Sequence, residues 1–523
     1  MRITLFLSTS FFIGLALISS AQPGSPSSSF GASGFASSAD EYFGRHKGLV
    51  VQPDGKVVVV GYDDQNERKR GVIARYLPSG LLDPSFNGTG FVLQGSFGWS
   101  EEDLEYLNIA RSSDGKLVVC GVEGNSVSTR IRVVRYNANG TLDQSFGLSG
   151  TISVNSGLLA SANEIAILSN GKIMMAGKKG ESPVRGVLVR LNANGWPDET
   201  FGGGDGILDF TFNGSNCVVR SMTVQPDGKL LVVADAYEGG EYLFAVARFI
   251  ANGSFDNGFG VSGIASTTIG EDGYGAMDLA LRPDGRMVIV GSTVMNSTVG
   301  IAMAQFLPNG TLDPDFGDGG TVVSLAPSSF DWNEDALYAR QVVLEPTGRL
   351  IVCAYNDFPM VLARYEADGT VDEGFGEEGF AYSNFWGAQY QSPEVMTLSS
   401  DNKIYVAGYG YSNLSENNPA FVARFNTGIN VGLEEVSAGP VLYAHPNPTH
   451  GLVQVTMDQE EAGAIELSIF DMHGRAVPVP SNFLSVPMRR HSTILDMSGL
   501  AAGTYTIRAV GRLGTAHLRL VKD

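Results

Sequence analysis

The sequence predicts an all-β chain, a seven-bladed β-propeller of four-stranded antiparallel blades followed by a small C-terminal β-sandwich. Three observations carry that expectation. A Phe-Gly-like step recurs at Phe30, Phe86, Phe146, Phe201, Phe259, Phe316 and Phe375, at intervals of 55 to 60 residues. Between steps, a turn signal of one type and a strand ending in Arg and a large apolar residue return in fixed order. After Asn426 the repeat stops and the composition changes.

The turn signals are Pro53-Asp54-Gly55-Lys56 and its counterparts at 113–116, 169–172, 226–229 and 283–286, with degenerate copies at 346–349 and 400–403. Asp-Gly and Asn-Gly suit the positive φ values of a two-residue hairpin turn, so seven hairpins are expected. The flanking runs, such as Val57–Val60 and Leu230–Val233, are continuously apolar, which predicts burial on both faces. A further strand ends in Ala74-Arg75-Tyr76, Val134-Arg135-Tyr136 and their equivalents, and a Gly-containing turn leads into the next Leu-Asp-x-x-Phe step. With the short strand after that step, as at Gly90–Leu93, each unit holds four strands. Such units bury their faces only against neighbours, as propeller blades do. A linear β-solenoid is the alternative, disfavoured because its rungs are shorter and its ends need caps.

In this ordered pattern residues 30–426 resemble the delta-60 repeat family. The resemblance implies the propeller and brings no established catalytic activity.

At the N-terminus, Met1-Arg2, an apolar run over 3–18 and Ser19-Ser20-Ala21 read as a signal peptide over 1–21, cleaved after Ala21 and followed by a lead over 22–29. No later apolar run is long enough to predict a membrane-spanning helix. Cys120 and Cys353, at matching places in two repeats, read as small buried hydrophobes; Cys217 has no evident partner, so disulfides are not the expected staple.

Residues 427–440 form a polar linker, and 441–523 carry alternating runs at 452–457, 465–470, 493–497, 505–509 and 517–521 that predict the β-sandwich. Pro446, Asn447, Pro448, Thr449 and Gly451, then Phe470-Asp471 with Gly474-Arg475, then Leu500, Gly503, Tyr505, Ile507 and Lys522 follow in order. In these blocks the segment resembles the type A sorting domain of the Bacteroidota type IX secretion system. The aromatic that usually precedes the first Pro is displaced to Tyr443. The resemblance implies the type IX machinery and its sortase as partners, passage across the outer membrane, removal of the domain near the linker, and release or surface attachment of the rest. An ordinary carbohydrate-binding or immunoglobulin-like sandwich is the alternative.

A formal net charge of −20 excludes nucleic acid as a natural partner. The propeller has one histidine, His46, expected at the surface or a strand edge, and the scarcity of His and Cys removes the usual zinc ligands. No catalytic residue and no metal ligand is assigned. The acidic clusters Asp63-Asp64, Glu101-Glu102-Asp103, Glu271-Asp272 and Glu334-Asp335 are expected to be solvated loop charge; an extracellular hydrolase or lyase using such carboxylates is the enzyme alternative. The Gly-rich pieces at 201–206 and 316–320 read as inter-blade turns, with a Ca²⁺ loop as the lesser alternative.

In a four-stranded blade the first and third connections emerge on one face, and here those are the variable ones. Trp99, Trp332 and Trp386 fall in first connections, with Tyr274, Tyr390, Tyr237 and Tyr411 in other loops of that face. Aromatic faces beside carboxylates suit sugar rings. The leading expectation is therefore a secreted or surface-attached binding or adhesion propeller whose partner is a glycan or surface polymer; a structural scaffold is the third reading.

Overall fold

The computed structural model describes residues 22–429 except 32, 38–43, 65–67, 97–101, 126, 155–158, 182, 213, 215, 239, 328–335, 357–358, 384–389 and 412–419, and residues 441–522 except 446–451, 464–465, 472–474, 478–487 and 512–513. The expected signal peptide, Trp99, Trp332, Trp386, and the sorting-motif residues Pro446, Asn447, Pro448 and Gly451 lie outside the described residues.

Seven antiparallel sheets, one per repeat, follow one another along the propeller. Their first strands are Arg45–Val51, Asp103–Arg111, Ser161–Ile167, Val219–Val224, Asp272–Leu281, Tyr338–Leu344 and Tyr390–Leu398. Each first strand neighbours the first strands of the blades before and after it, and Tyr390–Leu398 neighbours Arg45–Val51. The ring is therefore closed around a channel lined by the first strands. The second strand of blade 1, Val57–Asp63, is buried along its whole length. Its pleat explains why: Val57 and Val59 pack with Tyr405 and Ala407 of blade 7, while Val58 and Val60 pack with Leu104 and Ile109 of blade 2. Blade 4 adds a strand, Ala236–Glu238, paired with Glu241–Phe249.

The hairpin turns differ from expectation. The N–H of Gln52 donates to Lys56 O at 2.7 Å and that of Gly55 to Gln52 O at 2.9 Å, giving a three-residue loop in which Gly55 has φ +77° and Asp54 does not have a positive φ. This is a type I turn followed by one left-handed residue, and the Asp contributes its carboxylate, which accepts the Lys56 N–H at 3.3 Å. In the degenerate seventh copy Asn402 takes the left-handed place at φ +56°.

The Arg-aromatic strand and the Leu-Asp-x-x-Phe step together form a clasp between blades. Arg75 Nε donates to Asp83 at 2.8 Å, its Nη1 donates to Ala138 O of blade 2 at 2.5 Å, and its guanidinium lies 4.7 Å from the buried Phe86 ring centroid. Arg135, Arg190, Arg248 and Arg364 repeat the arrangement on Phe146, Phe201, Phe259 and Phe375, and Arg424 closes the ring by donating to Pro78 O of blade 1 at 3.2 Å. Burial alone would raise the Asp143 carboxyl, but hydrogen bonds from Ser145, Lys116 and Arg135 hold it well below its ordinary range, and Asp198 behaves alike. In blade 5 Gln305 stands where the Arg would be. There Arg282 donates to Gln305 at 2.7 Å, and to Gly348 O and Ala367 O of blade 6 at 2.8 Å each, so a different residue spans the same junction.

Among the described residues blade 7 has three strands from its own repeat. Its fourth is Phe35–Ser37, paired antiparallel with Ala420–Asn426. The lead before it is built in as well: Gly24 N donates to Asn426 O at 2.8 Å, Ser27 N to Arg424 O at 2.7 Å, and Gly376 N to Pro23 O at 3.0 Å.

All three cysteines are free and buried, Cys120 and Cys353 as expected for small core residues. The last unit, described by itself, has two three-stranded antiparallel sheets. Val453, Val455 and Leu495 of one and Ile469, Tyr505, Ile507 and Leu520 of the other form a single core, which makes it a sandwich. Gly503 begins a strand that ends at Gly511, and Lys522 ends the chain's last strand.

Candidate ligand-binding site

Each first strand carries a β-bulge near its middle, for example between His46 and Gly48, between Ala339 and Gln341, and between Pro393 and Val395. The extra residues are Lys47, Leu107, Asn163, Arg220, Met277, Arg340 and Glu394, all half-buried and each preceded by a buried residue. A bulge re-aims its side chain, and here it takes one residue per blade out of the strand's regular alternation.

The residues just after the bulges form a polar belt. Asn108 Nδ2 donates to Asn163 O at 3.0 Å and to Glu164 at 3.2 Å, and Asp278 accepts the Val342 N–H at 2.9 Å as well as the Ser221 hydroxyl. Burial pushes the Asp278 carboxyl up to about 6, and burial together with the charge of Asp278 pushes Glu164 well above the ordinary range.

Beyond the belt, on the face of the variable connections, tyrosines form an arc. Tyr274 meets Tyr338 edge-on at 5.3 Å, Tyr338 stacks on Tyr355 at 5.2 Å, Tyr355 meets Tyr390 at 6.5 Å, and Tyr390 meets Tyr409 at 6.3 Å. Cations lie on the same rings: Arg45 is 4.4 Å from the Tyr409 centroid, Lys47 5.8 Å from it, and Arg340 4.8 Å from that of Tyr355. On blade 4, Tyr237 meets Tyr242 at 5.0 Å, and the Tyr242 backbone and side chain border Gly273 and Gly275, on either side of Tyr274. Rings from blades 4 to 7 and cations of blades 1 and 6 thus occupy one face. Tyr274 and Tyr237 are about half exposed, at 50% and 49%. The other ring positions of the arc are partly buried, and burial raises the Tyr355 and Tyr390 phenols.

Of the expected residues, the arc brings Tyr274 and Tyr390 together and places Tyr237 beside them. None of these is in a loop. Tyr274 lies within Asp272–Leu281, Tyr390 begins Tyr390–Leu398, Tyr237 is in Ala236–Glu238, and Tyr411, whose side chain is outside the description, ends Lys403–Tyr411. Strand ends hold an aromatic more rigidly than loops would. Sequence reasoning missed Tyr338, Tyr355 and Tyr409, together with Arg45, Lys47 and Arg340.

His46 corrects the expectation of a surface or edge residue: it is fully buried, with its ring 6.5 Å from that of Tyr76, and desolvation lowers its pKa to about 3. Asp63 is likewise not solvated loop charge but fully buried and ion-paired to Arg70. The Gly-rich piece at 201–206 is an inter-blade turn in which Gly206 N donates to Phe201 O at 3.1 Å and Asp205 accepts the Ile207 N–H at 3.0 Å.

The family described as a domain of unknown function (DUF5122) β-propeller matches residues 52–86, 112–146, 168–201, 225–259, 282–316 and 399–428, and the secretion system C-terminal sorting domain matches 443–522. The chain carries DUF5122 β-propeller repeats and a secretion system C-terminal sorting domain. Blade 6 is not among the matched repeats, although it is a four-stranded blade like the others. The tail marks the protein for secretion by the type IX machinery to the cell surface or beyond. Among the described residues no helix is long and apolar enough to cross a membrane. None of the curated proteins matches the chain.

Solved structures similar to the chain include the polysaccharide lyase Uly1, at 11% identity and a TM-score of 0.44, covering 73% of this chain and 90% of that one. A Lactobacillus plantarum protein has 13% identity and a TM-score of 0.43, covering 71% and 96%. Drosophila plexin A in complex with semaphorin 1b has 9% identity and a TM-score of 0.40, covering 74% and 87%. At such scores nothing transfers from them to this site.

Proposed function

We propose that the exported propeller is a binding module that holds a glycan on the tyrosine arc. The observation that carries this reading is the unbroken series of partly exposed ring contacts from Tyr274 to Tyr409. Sugar rings offer apolar C–H faces to such a surface and hydroxyls to its polar rim. Rigid strand-end aromatics also lose little conformational freedom on binding. A glycan array probed with the full chain, followed by Tyr274→Ala, tests the proposal. Tyr274 is exposed enough for its loss to leave unfolding unchanged, so an affinity loss of about tenfold, ~1.4 kcal/mol, is the expected result. Unchanged binding by a folded Tyr274→Ala, Tyr390→Ala double variant would overturn it.

A further inference from the structure

Resting on the glycan reading, we infer that the arc selects sugars bearing a carboxylate, of the uronic-acid type, and that Arg340 is the residue that reads the acid. Four of the seven bulge positions are charged: Lys47, Arg220, Arg340 and Glu394. Three of them are neutralised locally. Lys47 Nζ is 2.9 Å from Glu394, and Arg220 makes a two-pronged pair with Asp235, at 2.7 Å for each contact. Among the described residues no carboxylate pairs with Arg340, and its Nε, though buried, meets no acceptor.

Arg340 is nevertheless held in place. Its guanidinium lies over the Tyr355 ring, 4.8 Å from the centroid, so it belongs to the proposed platform. A guanidinium set against an aromatic face keeps its planar edge free, and that edge matches a carboxylate through two parallel hydrogen bonds. The surrounding chemistry narrows the ligand further. With a net charge of −20 the protein repels a long polyanion laid across its surface, whereas one acidic sugar at the channel mouth meets a bulge-position cation that no carboxylate among the described residues neutralises.

The experiment compares uronic-acid oligosaccharides with their methyl esters, which keep the sugar and remove the charge, on the full-length chain. The wild type is expected to bind the acids at least tenfold more tightly than the esters. Arg340→Gln should abolish that preference, so that acid and ester bind equally, and Arg340→Lys should restore only part of it. Equal binding of acid and ester by the wild type, a preference that survives in Arg340→Gln, or binding of neither form would each overturn the inference. Tyr274→Ala separates the two levels: if it lowers glycan affinity while Arg340→Gln changes nothing, the glycan reading stands and the acid reading falls.

Discussion

Replacing Asp278 with asparagine should change how the propeller's stability depends on pH, and even the sign of the effect should reverse along the titration. Asp278 is buried and accepts hydrogen bonds from Ser221 and from the Val342 and Leu279 backbone, yet desolvation wins and its carboxyl is raised to about 6. A folded-state value above the unfolded one, near 3.9, means that the folded protein holds this proton more tightly. The stabilisation is complete below pH 4 and is lost as pH rises through 6, by roughly 3 kcal/mol. Glu164 is raised in the same direction and adds to the slope. Asparagine keeps one acceptor oxygen but brings an NH₂ that needs partners, at a cost of about 1–2 kcal/mol. Asp278→Asn should therefore be less stable than wild type at pH 4 and more stable at pH 7. All four tryptophans, at 99, 196, 332 and 386, precede the sorting domain, so tryptophan fluorescence during urea unfolding of the intact chain reports the propeller alone. Parallel stability profiles for the two proteins between pH 4 and 7 would refute the reasoning.

Two further perturbations address the ring itself. Arg135→Ala removes a clasp and leaves Asp143 with the Lys116 ammonium and the Ser145 hydrogen bonds, which should lower stability by about 2–4 kcal/mol; a loss under 0.5 kcal/mol in urea titration would deny the clasp its role. Deleting residues 22–37 strips blade 7 of its outer strand, so small-angle scattering should report a larger, less regular particle than wild type, and unchanged dimensions would contradict the closure described.

The propeller was legible because its code is repetitive and local: Val57–Val60 announces burial on both faces, and each turn and Phe step returns in order. The clasp was half legible. Arg75, Asp83 and Phe86 stand out as a pattern, but the third partner is a backbone carbonyl at Ala138, and carbonyls leave no mark in a sequence. The substitution of Arg282 for the missing arginine of blade 5 was invisible for the same reason. The arc was missed because tyrosines inside apolar strands read as core. A signal was present, since Tyr62, Tyr355 and Tyr409 occupy the same register of their second strands. The bulges that aim Lys47 and Arg340 depend on cross-strand pairing, so only three-dimensional register reveals them. His46 was misjudged because a polar residue was assumed to seek water.

The strand borrowed by blade 7 sets a schedule. Ser27 and Arg424, joined by a hydrogen bond, are 397 residues apart, so this contact can form only once the intervening chain is present. Six blades can be assembled from neighbouring sequence, whereas the seventh waits for the final strand to be delivered. A partly exported or partly synthesised chain therefore has no closed circle to present, and completion of the ring coincides with arrival of the segment that leads into the sorting domain.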